Sequence, residues 1–234
     1  KAAAAANRRG VVDVLDYDVD QIHGPYLVME LLEGESLERR IERQRYLEPT
    51  EALTIAIDIL DTLDAVHQQG IIHRDLKPAN IFLARTEEGE ELVKVLDFGI
   101  SRVDTADRQT KLTTPGMAVG TPRYMAPEQA QCDPDVDVRA DLYSVGAILY
   151  EALSGTKPYA DIFPGQILSE VILRSPRPFR EVSRYSERDL IDVVEQAMTR
   201  QREERFLSAR EMSTKLVSLR AELMGSSGDL GEPP

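Results

Sequence analysis

The sequence predicts an α+β fold in which a small β part joins a larger, mainly helical part. Three observations predict it. Up to about position 33 the apolar residues fall in short strand-like runs, and beyond it they recur mostly at helical spacing. The chain has 234 residues, 42% of them hydrophobic, and a chain of that size buries roughly 70% of its surface on folding. Its single cysteine, Cys132, can build neither a disulfide framework nor a Cys-rich zinc site. The fold must therefore stand on packing, and a reducing compartment fits.

The elements follow in order. Residues 2–6 are alanine and read as the last turns of a helix. Residues 11–15 and 26–32 read as strands around the turn His23-Gly24-Pro25, with Gly34 ending the second. Residues 36–44 form a short helix. Pro49 opens a longer one that Gly70 stops, with Leu53, Ala56, Ile57, Leu60, Leu63 and Val66 on its buried side. Residues 81–84 and 92–96 are short strands around Glu88-Gly89. Residues 101–120 show no periodicity and read as a long loop. Residues 142–153 are apolar nearly all round, which predicts a buried central helix. Ser186-Glu187-Arg188-Asp189 and Ser208-Ala209-Arg210-Glu211 read as capping boxes, the second opening a final helix to about Met224. Residues 225–234 read as a linker or frayed tail.

Lys plus Arg number 28 and Asp plus Glu 41, a formal net charge of −13. That balance argues against nucleic acid, which needs a basic face. No run of 18 apolar residues exists to span a membrane, and no signal peptide is visible. The expectation is a cytoplasmic domain without membrane contact. The chain opens on Lys1 rather than Met, which reads as a piece whose natural start lies upstream.

Three stretches carry the chemistry: His73-Arg74-Asp75-Leu76-Lys77-Pro78-Ala79-Asn80, Asp97-Phe98-Gly99, and Gly120-Thr121-Pro122-Arg123-Tyr124-Met125-Ala126-Pro127-Glu128. If the two short strands pair about Glu88-Gly89, partner positions sum to 177, and Asn80 meets Asp97 at the open end. An amide oxygen beside a carboxylate suits Mg²⁺, which keeps its other ligands from water and phosphate; the same pair could merely cap a turn. Asp75, five residues before Asn80, can orient a hydroxyl and accept its proton, or be a solvated loop acid. Lys77 can offset charge on a transferring phosphoryl group.

With all three motifs in order, the chain resembles a protein kinase catalytic domain of the Ser/Thr class, in its bacterial branch, over about residues 1–224. The resemblance implies a two-lobe fold. Residues 1–33 are then a partial N-lobe with the hinge, 34–224 a complete C-lobe, and 225–234 a tail. It implies ATP and Mg²⁺ as cofactors and Ser or Thr hydroxyls of proteins as acceptors. It makes Asp75, Lys77 and Asn80 catalytic, and Asn80 and Asp97 the metal ligands. Met29 falls at the gatekeeper position, the backbone of Glu30 and Leu32 at the adenine edge, and Phe82 beneath the adenine ring. His73 becomes a structural residue packed on Phe98. Asp141 supports the catalytic loop, and Glu128 and Arg205 form an ion pair. His23 and His67 read as surface or packing residues. Thr113 and Thr114 fall where relatives carry activating threonines, with Arg74 the partner for their phosphate.

The family also carries a Gly-rich loop and a strand lysine paired to a helix glutamate. Residues 1–34 hold glycine only at 10, 24 and 34, no lysine besides Lys1, and no glutamate before Glu30. The 234 residues alone are therefore expected to be inactive. A pseudokinase or scaffold is the competing reading, opposed by intact Asp75, Lys77, Asn80 and Asp97. A small-molecule kinase is a third, opposed by Gly120-Thr121 and Ala126-Pro127-Glu128.

Overall fold

A computed structural model describes residues 10–20, 22–86, 88–98, 122–160 and 162–226. Two small sheets lead into a helical body. Strands β1 (Val14–Asp20) and β2 (Gly24–Met29) form an antiparallel hairpin, and β3 (Gly34–Ser36), β4 (Ile81–Arg85) and β5 (Glu91–Val95) form a second sheet in that order. Helices α1 (Leu37–Gln44) and α2 (Pro49–His67) separate β3 from β4. After β5 come α3 (Pro127–Ala130), α4 (Arg139–Ser154), α5 (Ile167–Leu173), α6 (Phe179–Val182), α7 (Arg188–Ala197) and α8 (Ala209–Ser226). This is a small β lobe joined to a large helical lobe, as the sequence predicts.

The centre of the large lobe is α4, where every residue from Ala140 to Ser154 is buried. Helices α2 and α7 pack against it, and α8 lies along α2. Gly146 lets α7 approach closely, since a Cβ there would sit 2.7 Å from the Ala197 Cβ. Leu53, Leu60, Leu63, Leu142, Leu153 and Leu190 are fully buried, each contributing about 1.5–3 kcal/mol of transfer free energy. Among the described residues, no helix is long and apolar enough to cross a membrane.

Several boundaries differ from the sequence reading. The first strand runs over Val14–Asp20 rather than 11–15; Leu15, Tyr17 and Val19 alternate there with Asp16, Asp18 and Asp20, a period-two pattern that a search for continuous apolar runs passes over. Asp20 ends it by accepting from the N–H groups of Ile22 and His23 at 2.9 and 2.7 Å. The second strand stops at Met29. Val11 instead bridges Val95, parallel to it, so residues 10–12 extend the second sheet beyond β5. Gly34 does not end a strand but opens β3 at φ 141°, and a Cβ there would lie 2.0 Å from the Leu83 carbonyl oxygen. The β4–β5 register pairs Ile81 with Val95, a sum of 176 instead of 177. The capping box at Ser186 does not form: Glu187 is the N-cap of α7, without a side-chain bond. At α8 the Ser208 hydroxyl accepts from the Glu211 N–H at 3.1 Å, while the Glu211 carboxylate reaches past it to the Leu207 N–H at 2.7 Å.

Candidate active site

The loop between α2 and β4 is held from below by one carboxylate. Asp141, 0% exposed on α4, accepts from the backbone N–H of His73 at 2.8 Å and of Arg74 at 2.9 Å. It also bonds His67 Nε2 at 2.8 Å. A buried charge without partners would be expensive; here three donors satisfy it. His67, read from the sequence as a surface or packing residue, thus joins the support at the end of α2. Its spacing from the loop gave no signal, because the contact spans 74 residues.

His73 is fixed at both ring nitrogens. Nε2 bonds the Leu96 carbonyl at 2.8 Å and Nδ1 accepts from the Asp75 N–H at 3.2 Å. Accepting at Nδ1 places the proton on Nε2, where it donates to Leu96. The ring meets Phe98 edge-on at 4.8 Å between centroids. No lone pair remains for base chemistry. Arg74 takes φ 68°, and its carbonyl accepts from Gln129 Nε2 at 3.0 Å. Gln129, which the sequence reading passed over, thereby ties α3 to the loop.

Asp75 projects from this frame with its side chain 51% exposed. Its Oδ2 accepts from Lys77 Nζ at 2.9 Å and from Asn80 Nδ2 at 3.2 Å. Asn80 Nδ2 also donates to the Asp75 carbonyl at 2.8 Å. The amide nitrogen of Asn80 is thus spent on Asp75, which leaves its oxygen to offer elsewhere. Asn80 sits at the start of β4, and its carbonyl accepts from the Leu96 N–H at 2.8 Å. Asp97 follows at once and leaves the strand at φ 62°. It is therefore one residue beyond direct opposition to Asn80, but at the same end of the hairpin. A carboxylate and an amide oxygen are a donor set that Mg²⁺ accepts beside phosphate oxygens, so the residues fit that ion.

The segment after β2 reaches β5 through Glu30 and Lys94, 2.7 Å apart. Met29 is 41% exposed, the Glu30 N–H donates to the Asp13 carbonyl at 2.9 Å, and Leu32 is half-buried. Phe82 stands half-buried on β4 opposite Lys94. Lys94 was not singled out by sequence. Farther down, Arg205 forks onto Glu128 at 2.7 and 2.9 Å, with side chains 0% and 9% exposed. Beside it the Tyr124 hydroxyl donates to Glu151 on α4, and Ser144 Oγ donates to the Tyr124 carbonyl at 2.7 Å. Burial pushes the Glu151 carboxyl up, against the pull of Tyr124 and Lys157. Gly99, Gly120, Thr121, Thr113 and Thr114 lie outside the described residues.

A small β part joined to a large helical lobe, with Asp75, Lys77 and Asn80 bonded together on the loop before β4, is a two-lobe class of fold, and comparison with known proteins specifies it. The family profile described as "Protein kinase domain" matches residues 5–216. Serine/threonine-protein kinase PknB of Mycobacterium tuberculosis is 35% identical over 99% of this chain and 35% of its own length. Serine/threonine-protein kinase pkn2 of Myxococcus xanthus is 35% identical over 98% of this chain and 28% of its own. The chain belongs to the protein kinase family. It spans about a third of the length of the curated relatives it matches.

Proposed function

We propose that this chain carries the catalytic loop and metal site of an ATP- and Mg²⁺-dependent kinase acting on Ser and Thr hydroxyls of proteins. The observation that carries this reading is the Asp75–Lys77–Asn80 cluster. A half-exposed carboxylate is oriented by a lysine and an amide, on a loop that Asp141 holds rigidly.

Asp75 Oδ2 is committed to Lys77 and Asn80, so Oδ1 is the oxygen turned to an acceptor hydroxyl. As the hydroxyl oxygen forms its bond to the γ-phosphorus and the bond to the leaving diphosphate breaks, the hydroxyl proton passes to Asp75. Lys77 offsets negative charge beside the transferring group. Asn80 and Asp97 would hold Mg²⁺, which when bound neutralises phosphate charge. The Glu30 and Leu32 backbone would take the adenine edge, with Met29 behind it and Phe82 beneath. The Lys at position 77, two after the catalytic acid, favours Ser or Thr over Tyr as acceptor.

Regulation by phosphate on Thr113 and Thr114 belongs to the same reading. Arg74 is half-buried, and among the described residues no carboxylate pairs with its guanidinium. A phosphothreonine would supply an anion for it through two charge-assisted bonds and draw the preceding loop onto the site.

The test uses the natural full-length protein with labelled MgATP and a protein substrate. Label on Ser or Thr that disappears in Asp75→Asn supports the reading. Undiminished transfer by Asp75→Asn overturns it. Full activity of Thr113→Ala/Thr114→Ala overturns the switch alone.

A further inference from the structure

Lys94 is a buried cation, among the described residues, that the catalytic reading does not use. It lies on β5, 6% exposed, and a lysine at that depth needs partners for its ammonium. Two acceptors supply them: the Glu30 carboxylate at 2.7 Å and the Val11 carbonyl at 3.2 Å. The same Glu30 oxygen accepts from the Asp13 N–H at 2.9 Å. Burial raises the Glu30 carboxyl, yet Lys94 and the Asp13 N–H outweigh it and hold it below its usual range.

The register shows what this joins. Lys94 stands directly opposite Phe82, so the two share a sheet face; Asn80 closes the 3-10 turn that leads into β4, two residues before Phe82. The alternate residues Ile81, Leu83, Val93 and Val95 turn into the core. Lys94 therefore rises from the face that carries Phe82, on the hairpin whose open end holds Asn80 and Asp97, and three residues before Asp97. Its head reaches the segment at Glu30. A hydrophobic side chain could fill the space without the desolvation penalty of an ion pair. What it could not supply is a directional tie between these two segments.

We propose that Lys94, bonded to the Glu30 carboxylate, is a positioning residue that sets the spacing between the adenine-edge segment and the Asn80–Asp97 end of the β4–β5 hairpin. The proposal rests on the roles given above to Asp97 and to the Glu30–Leu32 backbone. Adenosine reads the adenine edge alone, whereas phosphoryl transfer needs both ends at the right separation.

The experiment compares wild type with Lys94→Met, Lys94→Arg, Glu30→Gln and the double variant Lys94→Met/Glu30→Gln in the natural full-length protein. Adenosine affinity, kcat with MgATP and thermal stability are measured for each. Lys94→Met and Glu30→Gln should lower kcat about tenfold to a hundredfold, the cost of a misplaced reacting group, while adenosine Kd stays within about threefold. The double variant should be no worse than Lys94→Met, because the two act through one bond. Lys94→Arg, which keeps a cation within reach, should recover most of kcat. A folded Lys94→Met with wild-type kcat overturns the proposal. So does a fall in kcat matched by the fall in adenosine affinity or in folded fraction, which marks a structural role only. A wild type without MgATP turnover overturns the kinase reading beneath it, an outcome distinct from both.

Discussion

Asp75 is held at one oxygen and open at the other, and that asymmetry is what a base needs. Lys77 and Asn80 both donate to Oδ2, which restrains the carboxylate, and in the proposed reaction Oδ1 would meet the incoming hydroxyl. Asp75→Asn should lower kcat by roughly 10²–10⁴ with nucleotide affinity unchanged, as steady-state kinetics with a parallel ATP titration will read. Asp97→Asn should do the reverse in emphasis, weakening ATP binding in Mg²⁺ and leaving binding without Mg²⁺ nearly as it was. Equal Mg²⁺ dependence in that variant and the wild type would remove Asp97 from the metal site. At this scale most of the candidate site was legible, because Asp75, Lys77 and Asn80 are neighbours in sequence and local spacing sets their contacts. His67, Gln129 and Lys94 were not. Each acts across 55 to 74 residues, and nothing in the spacing of a lone His, Gln or Lys reports a partner that far along the chain.

Among the elements, helices were easier to read than strands. The apolar row of α2 names its own period and buried face, so its ends came out within two residues; α4 is buried all round and reads instead from its nearly unbroken apolar run. Strand β1 does carry a period-two alternation, Leu15, Tyr17 and Val19 against Asp16, Asp18 and Asp20, but both of its faces are exposed through Val19, so the pattern is not tied to a buried side. The β4–β5 register slipped by one because the turn centre was placed at Glu88-Gly89, half a residue too far along. Two contacts join helices to the segment that begins at Pro122, and both can be tested. Arg205 gives its guanidinium to Glu128 and to the carbonyls of Thr199, Arg139 and Arg200. Arg205→Ala should therefore cost roughly 3–5 kcal/mol by leaving Glu128 unpaired, read as a lowered urea midpoint. Glu151 gives a pH signature. Burial raises its folded pKa above the unfolded value, so its contribution to stability is complete below the ordinary carboxylate range and is lost as pH rises through the raised pKa. Measured against wild type, Glu151→Gln should gain in thermal stability as the pH rises from below the ordinary carboxylate range to above it. A difference that does not vary with pH would show that Glu151 holds the same charge state throughout.

For the molecule as a whole, the helical lobe supplies the stability and the small sheets supply the geometry. Residues 1–34 contain no Gly-rich loop and no lysine besides Lys1, so the 234 residues by themselves lack the groups that clamp ATP phosphates in the family. Phosphate label transferred by them alone, free of other kinases, should be at background in an autophosphorylation assay; robust label would show that the C-lobe groups suffice for positioning. The buried Asp141 has a consequence in time rather than in space. The N–H groups of His73 and Arg74 belong to an irregular segment, where amide protons ordinarily trade with solvent in the course of local fluctuations. Both are bonded to a carboxylate on the most deeply buried helix. Releasing either leaves a buried carboxylate short of a donor, so small local fluctuations of the loop are disfavoured and release is drawn toward the openings of the lobe itself. In hydrogen–deuterium exchange these two loop amides should persist as long as those of Leu149 or Leu153, the loop keeping the clock of the core.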